Sequence, residues 1–467
     1  MAEKKDPVKK LKEKLVMQHK NAYHLVSEME VKACDKFCEG YKDFMNKAKI
    51  EREAVIYAVN LLTKKGFVEY KAGMALKAGD KIYRNNRGKA VLAAIIGTAP
   101  INEGVRLCAA HIDSPRLDLK QNPIYEDTEL ALFKTHYYGG IKKYQWTTIP
   151  LALHGVIIKA DGTSVSVNIG EDEGDPVFCV TDLLPHLASA QMQKPLAKGI
   201  TGEQLNILIG SRPFKNDEES GSVKLNILNI LYEKYGITEA DFISSELEAV
   251  PAFKAKDVGF DRSMIGAYGH DDKVCAYPAL MAAAECKKPK HTVVMVLTDK
   301  EETGSDGNTG LNSSYLEYFV ADIAESFGSD ARTVLSASEC LSADVNAAFD
   351  PTFPEVNERN NSAYINRGVV VTKYTGARGK AGTSDASAEF TGRIRRLMDA
   401  KNVIWQTGEL GRVDEGGGGT VAAYIANLNV DTIDLGVPVL SMHAPYEIVS
   451  KLDTYMAYKA FEVFMAD

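Results

Sequence analysis

Two adjacent carboxylates, Glu301 and Glu302, follow an apolar run and precede the turn residue Gly304. At the end of a strand, neighbouring side chains point in different directions, so one carboxylate can hold a metal ion while the other handles a proton. Alone, such a pair is usually solvated surface. Its weight comes from residues of the same kind at the ends of other apolar runs: His111 and Asp113, then Asp344, then His443, with Asp271 opening a helix. Each has a bland alternative. Asp271 or Asp272 suits a helix N-cap, Asp344 a loop acid, and His443 a hydrogen-bonded core histidine. Their expected convergence on one edge of a parallel sheet, where α/β proteins bind ligands, favours a single site. Two histidines with three carboxylates suit zinc or a similar divalent ion, with coordination positions left for water; cobalt and manganese accept the same donors. A pair of such ions about 3.5–4 Å apart can hold a bridging hydroxide and polarise a carbonyl. A free carboxylate beside them can take the water proton and pass it to a leaving amine, which makes peptide or amide hydrolysis the natural reaction.

The elements that must position these residues follow from pattern. Residues 291–297 read as a strand buried on both faces, ending at the carboxylate pair. Residues 105–110, 332–338 and 437–442 read as further strands, and 272–286 as a helix. From about residue 6 to 65 the periodicity is helical, with Gly66 as a stop. Between about 121 and 256 the pattern changes to alternating segments, such as 156–159 and 164–169, typical of antiparallel strands. The charge runs at 171–175 and 215–220 read as solvated loops. The expected fold is therefore α/β: a mixed, mostly parallel sheet flanked by helices. Residues 1–121 and 256–467 form it, and a β-rich domain is inserted at 122–255.

The chain has 467 residues, a formal net charge of -8 and seven scattered cysteines. Two domains are expected from the length. The mild acidity argues against a nucleic-acid partner, and no apolar stretch is long enough to span a bilayer. The lysine-rich start is no secretory signal. An odd number of thiols, several inside apolar runs, suits reduced cysteines in a cytoplasmic protein.

Five stretches together carry a resemblance. They are Ala110-His111-Ile112-Asp113-Ser114-Pro115, Asp271-Asp272, Asp299-Lys300-Glu301-Glu302-Thr303-Gly304-Ser305, Ser342-Ala343-Asp344 and Leu440-Ser441-Met442-His443. In this order they resemble the motifs of the aspartyl-aminopeptidase family of dinuclear zinc aminopeptidases. The resemblance implies two divalent ions per subunit, His111 with Asp344 on one and Glu302 with His443 on the other. It implies that Asp271 bridges them, that Glu301 is the general base, and that Asp113 supports the site. It also implies a peptide substrate, a dimerisation role for the β-rich insert, and homodimers assembled into a tetrahedral dodecamer.

The chain departs from the family pattern on the substrate side. The segment Tyr138-Gly139-Gly140-Ile141 keeps the family's glycines, but the Asp-Arg-Asp-Leu ending is missing. Ala347-Ala348-Phe349-Asp350-Pro351 stands where the family has His-Ala-x-His-Pro, and the Ser-Pro motif is missing near Asn46. A preference for an N-terminal Asp or Glu does not follow. Candidate substrate contacts are Lys373, which resembles a family lysine, and Gly418, Gly419 and Thr420, whose turn can present N–H groups to substrate or be a mobile loop. A pocket for an acidic side chain would need a desolvated cation, for which Lys373, Arg378 and Lys380 are the candidates. His270 could compete with Asp271 as a ligand. Two other functions stay open: a dinuclear-metal amidohydrolase or deacylase, and a non-catalytic cage-like binding protein.

Overall fold

The computed structural model describes residues 7–467; the first six residues, the start of the segment expected to be no secretory signal, lie outside the described residues. Helices α1 (Glu28–Lys47) and α2 (Glu51–Lys64) precede strands β1 (Ala90–Ile95) and β2 (Val105–His111). Strands β3 (Arg116–Asp127), β4 (Leu130–Tyr138), β5 (Leu151–Ile158) and β6 (Ser245–Pro251) belong to a second sheet. The chain then runs through β7 (Met264–Ala267), α3 (His270–Glu285), β8 (Thr292–Thr298), β9 (Glu339–Ser342) and β10 (Val369–Thr372). It closes with β11 (Asp431–Gly436), β12 (Pro438–Leu440), β13 (Glu447–Ser450) and α4 (Lys451–Ala466).

The largest sheet has nine strands, and β8 shows why it holds. Val293, Met295 and Leu297 point into one core while Val294 and Val296 point into the other, as the pleat of a doubly covered strand requires. Helices α1 to α4 cover the first face with Tyr41, Phe44, Val55, Val274 and Phe461. The helix Tyr315–Glu325 covers the second with Leu316, Phe319 and Ile323. Helix α1 starts at a capping box in which Ser27 and Glu30 satisfy each other's backbone N–H groups. The sheet is mixed: β8, β2, β9 and β11 are successive parallel neighbours, flanked by antiparallel β1 and β10. Register sets Thr298 beside His111, Ala109 beside Ser342, and Ser342 beside Asp434. The carboxyl ends of these four strands therefore share one edge.

Residues 332–338 are not a strand. They form most of the helix Ala331–Ser336, and the strand comes after it, as β9. The Asp330 side chain accepts from Thr333 N, a helix-start signal that outweighs the β-branched composition of so short a run. The strand ending at His443 also differs from expectation. Strand β12 leaves the nine-stranded sheet and joins a separate five-stranded one with β7 and β13. The crossing is tight: a Cβ on Gly436 would lie 1.6 Å from the Asp344 carbonyl oxygen, so only glycine fits.

The second sheet has seven antiparallel strands drawn from residues 116–251, with its own core around Leu117, Phe133, Trp146 and Phe242. Strand β3 grows directly out of the segment after His111, so the change of pattern read near residue 121 falls inside a strand. Of the acidic loop 171–175, Glu171 is tied down, 3.4 Å from both Lys49 Nζ and His154 Nε2. All seven cysteines are free, and no described helix is long and apolar enough to cross a membrane.

Arg116 joins the second sheet to α2. It is buried, 3.0 Å from Glu248 Oε2 and 3.5 Å from Glu51 Oε2, both of which are buried too. Removing the cation would strand Glu248 at low dielectric and leave Glu51 with Lys89 alone, 3.5 Å away. Arg116→Ala should therefore lower unfolding stability by about 3–5 kcal/mol, read from the shift of the urea midpoint; an unchanged midpoint would show that the pairing contributes nothing.

Candidate active site

Strand β2 delivers a fully buried imidazole. His111 Nδ1 lies 3.1 Å from the Asp113 carbonyl and 3.2 Å from Asp113 Oδ1. Donation from Nδ1 turns the Nε2 lone pair toward a group of acids: Asp271 Oδ1 at 3.1 Å, Glu301 Oε2 at 3.8 Å and Asp344 Oδ1 at 4.0 Å. Asp271 sits at the head of α3, where the backbone is not yet helical. Its other oxygen, Oδ2, is 3.2 Å from His443 Nε2, so one carboxylate lies between the two imidazoles. His443 Nε2 is 3.5 Å from Glu302 Oε2, and its Nδ1 donates to the Gly140 carbonyl at 2.8 Å. Sequence had placed His443 on the edge of the main sheet; it reaches the cluster from the neighbouring sheet instead.

After β8 the chain turns through Lys300, at φ 67°, into a single 3-10 turn, Glu301–Thr303. The backbone N–H groups of Glu301 and Glu302 both donate to Asp113, each at 3.2 Å, and the Tyr138 hydroxyl donates to it at 2.8 Å. Asp113 thus orients His111 on one side and the glutamate turn on the other.

Charge in the site is unbalanced. Asp113, Asp271, Asp272, Glu301, Glu302 and Asp344 face two histidines. Burial pushes Glu302 and Asp344 well above the usual carboxylate range, and neighbouring acids push the same way. Glu301 is pushed up to about 7 by burial, with His111 opposing and Asp271 and Asp113 adding to the rise. Asp271 goes down: burial is outweighed by its contacts with His111 and His443. Glu302 Oε1 and both oxygens of Asp272 are buried without a hydrogen-bond partner. Ligand atoms of His111, Asp271 and Glu302 lie within 4.8 Å of one another, as do those of His111, Asp272 and Asp344. Orphaned buried oxygens and surplus negative charge fit a divalent-ion centre, and oxygen and imidazole donors without thiolates fit zinc in a catalytic rather than a structural role.

Three residues here escaped the sequence reading. Glu447 accepts from Asp271 N at 3.1 Å and His443 N at 2.7 Å, fixing both backbones from β13. Asp272, read only as a possible cap, is fully buried beside the cluster. Tyr138 clamps Asp113; its one sequence signal was its place before the paired glycines. His270 is turned away, bonded to the Tyr41 hydroxyl at 2.6 Å and the Ile265 carbonyl at 3.1 Å.

Asp271, Glu301, Asp344 and His443 open onto a cavity of 200 Å³, whose far wall includes Gly418, Gly419 and Thr420. The glycine turn is held rather than loose: Gly376 N donates to Gly418 O at 2.7 Å. A Cβ on Gly417, at φ 120°, would lie 2.3 Å from the Gly376 carbonyl. Lys373 does not line this cavity; its Nζ is 2.8 Å from Asp385 Oδ1, and Lys380 pairs with the other oxygen. A wider groove of 810 Å³ opens on the other side of His443, past Gly140, Tyr144 and Phe353.

Comparison with known proteins matches the chain to one family. The family profile described as "Aminopeptidase I zinc metalloprotease (M18)" matches residues 44–465. A probable M18 family aminopeptidase 1 of Clostridium acetobutylicum is 50% identical over 459 residues, covering 97% of this chain and 99% of its own. The crystal structure of an M18 aminopeptidase from Thermotoga maritima superposes with a TM-score of 0.92 at 44% identity, over 96% of this chain and 99% of that one. The fold alone is shared with the yeast mApe1 dodecamer, at 22% identity and a TM-score of 0.76, over 93% and 97% of the two chains. A site built from imidazoles and carboxylates, on this fold and at this level of identity, settles the matter: the chain belongs to the M18 family of zinc aminopeptidases.

Proposed function

We propose that this zinc aminopeptidase removes the N-terminal residue of peptides at the His111–His443 cluster, with two ions per subunit. His111 and Asp344 would hold one ion, Glu302 and His443 the other, and Asp271 both. The observation that carries this reading is the division of Asp271, whose two oxygens lie 3.1 and 3.2 Å from the two imidazoles. When bound, the ions supply Lewis-acid polarisation of the scissile carbonyl and activation of a water. Zinc suits these donors, and cobalt or manganese would also be accepted.

The remaining work falls to the chain. Glu301 is the one acid of its turn not assigned to an ion, and its carboxyl, held near 7 by burial against the pull of His111, can take a proton from water and return it to the leaving amine. Asp113 holds His111 through Nδ1 and fixes the Glu301 and Glu302 backbones; Glu447 does the same for Asp271 and His443. The small cavity would receive the N-terminal side chain, between the cluster and the Gly418–Thr420 turn, and the wider groove the rest of the peptide. Residues 122–255 would act as a dimerisation domain inserted between 1–121 and 256–467. We place the protein in the cytoplasm as a homodimer that assembles further, in line with the dodecamer named for a fold relative.

Glu301→Gln should lower kcat by about 10²–10⁴-fold while two zinc ions per subunit remain bound by elemental analysis; normal turnover in that variant would remove Glu301 from its role. Chelation should abolish turnover of aminoacyl anilides and lower the melting temperature by several degrees, because only the folded state holds the ions. Zinc added back should restore both. Asp113→Asn, which swaps one of the His111 acceptors for an amide, should weaken zinc affinity by about 10–100-fold in a competition titration against a chromophoric chelator.

A further inference from the structure

Lys273 is fully buried in the first turn of α3. Burial strips an ammonium of its water, and a helix N-terminus repels positive charge, so this lysine is held where both effects oppose it. Among the described residues its Nζ has one hydrogen-bond partner, the Ser114 hydroxyl at 2.7 Å. Burial works against its charge, while Glu447 and Asp113, the two acids that orient the cluster, favour it. The Tyr268 ring, anchored by its hydroxyl to the Pro115 carbonyl at 2.9 Å, lies 5.3 Å from the Nζ and adds a cation–π contact. A Cβ on Gly269 would come within 2.6 Å of the Nζ and 2.7 Å of Ser114 Oγ, so the chain leading into α3 closes over the pair.

Ser114 is the link from this lysine to the metal site. It is buried, and its Oγ donates to the Asp271 carbonyl at 2.9 Å. A serine hydroxyl has one proton to give, whereas an ammonium can only donate. The contact with Lys273 therefore uses an acceptor lone pair of Oγ and leaves the hydroxyl proton for Asp271, so the lysine dictates the direction of the serine bond. On its other side the Asp271 backbone is held by Glu447, which accepts from its N–H at 3.1 Å. Both main-chain polar groups of Asp271 are thus tied to partners outside α3, and its carboxylate is the one that lies between His111 and His443.

We propose that Lys273 and Ser114 are positioning residues for the aminopeptidase reaction: the lysine turns the serine hydroxyl onto the Asp271 carbonyl, and the serine sets where the Asp271 carboxylate stands between the two imidazoles. This rests on the reading of the cluster given under the proposed function. Neither residue lines the small cavity or the wider groove, so both act through Asp271 and not on substrate. With its carbonyl released, the Asp271 peptide unit is free to rotate and the carboxylate swings off the line between the imidazoles. An ion held partly by Asp271 is then held less well.

The test is zinc affinity, by competition against a chromophoric chelator, together with kcat and KM on the aminoacyl anilide that the wild type cleaves fastest. It compares wild type, Ser114→Ala, Lys273→Met and the double variant; methionine keeps an unbranched stem without the ammonium. Each single change should weaken the more loosely held zinc by about 10–100-fold and lower kcat at saturating zinc by about tenfold. KM should stay within about twofold, since the interaction lost is not one made with substrate. In the double variant the losses should equal those of one single change, because the two residues act in series. Losses that multiply in the double variant would overturn the proposal, since independent contributions to the fold behave that way. Unchanged zinc affinity in either single variant would overturn it too, whatever happens to the melting temperature. If Lys273→Met does not fold, Ser114→Ala, which removes a single oxygen atom, decides alone. Wild-type turnover that these changes leave intact sinks the positioning roles only; wild-type protein that holds zinc and cleaves no aminoacyl anilide takes the reading of the cluster with it.

Discussion

Carboxylates packed together away from water repel one another and lose hydration, and the catalytic half of this fold is arranged to hold several of them in that condition. Burial raises Glu302, Asp344 and Asp272 far above their ordinary range. Only a rigid frame keeps such a group from spreading apart. The frame is the shared edge of β2, β8 and β9, fixed by ladder hydrogen bonds and by strands whose alternate residues are locked into two opposite cores.

The frame alone does not aim the side chains. That falls to a few buried acceptors that the ions would never touch. Asp113 gathers two backbone N–H groups, the Tyr138 hydroxyl and one imidazole; Glu447 gathers the backbone N–H groups of Asp271 and His443. Each ties together pieces of chain far apart in sequence. Outer partners of this kind set tautomer and orientation, so the ligand atoms meet within a few ångströms.

The second sheet contributes to the same site in a modest way. Tyr138 and Gly140 come from the end of β4 and the turn after it, and they touch Asp113 and His443 respectively. Arg116, at the start of β3, is paired with Glu51 on α2 and Glu248 on β6. The β-rich segment is therefore tied to α2, which packs on the main sheet, and it touches the cluster at both Asp113 and His443.

Much of the site was legible in the sequence because its ligand types follow apolar runs, and a doubly buried strand announces itself by composition: β2 ending at His111 and β8 ending at the glutamate pair are plain in the letters. So is the turn at Gly304 and the helix after Asp272. The short run 332–338 misled, because β-branched residues favour strand on average while a single cap at Asp330 starts a helix. Sequence by itself determined which chemistry is present, an imidazole and carboxylate set without thiolates, and in what order it occurs. Only the tertiary structure decided that His443 arrives from a different sheet, that Asp271 divides its oxygens between two imidazoles, and that Asp272 and Glu447 are buried beside them. Local pattern reports which residues an element can hide, but the partner that a buried acid meets is set by chain crossings hundreds of residues apart, and no local signal encodes those.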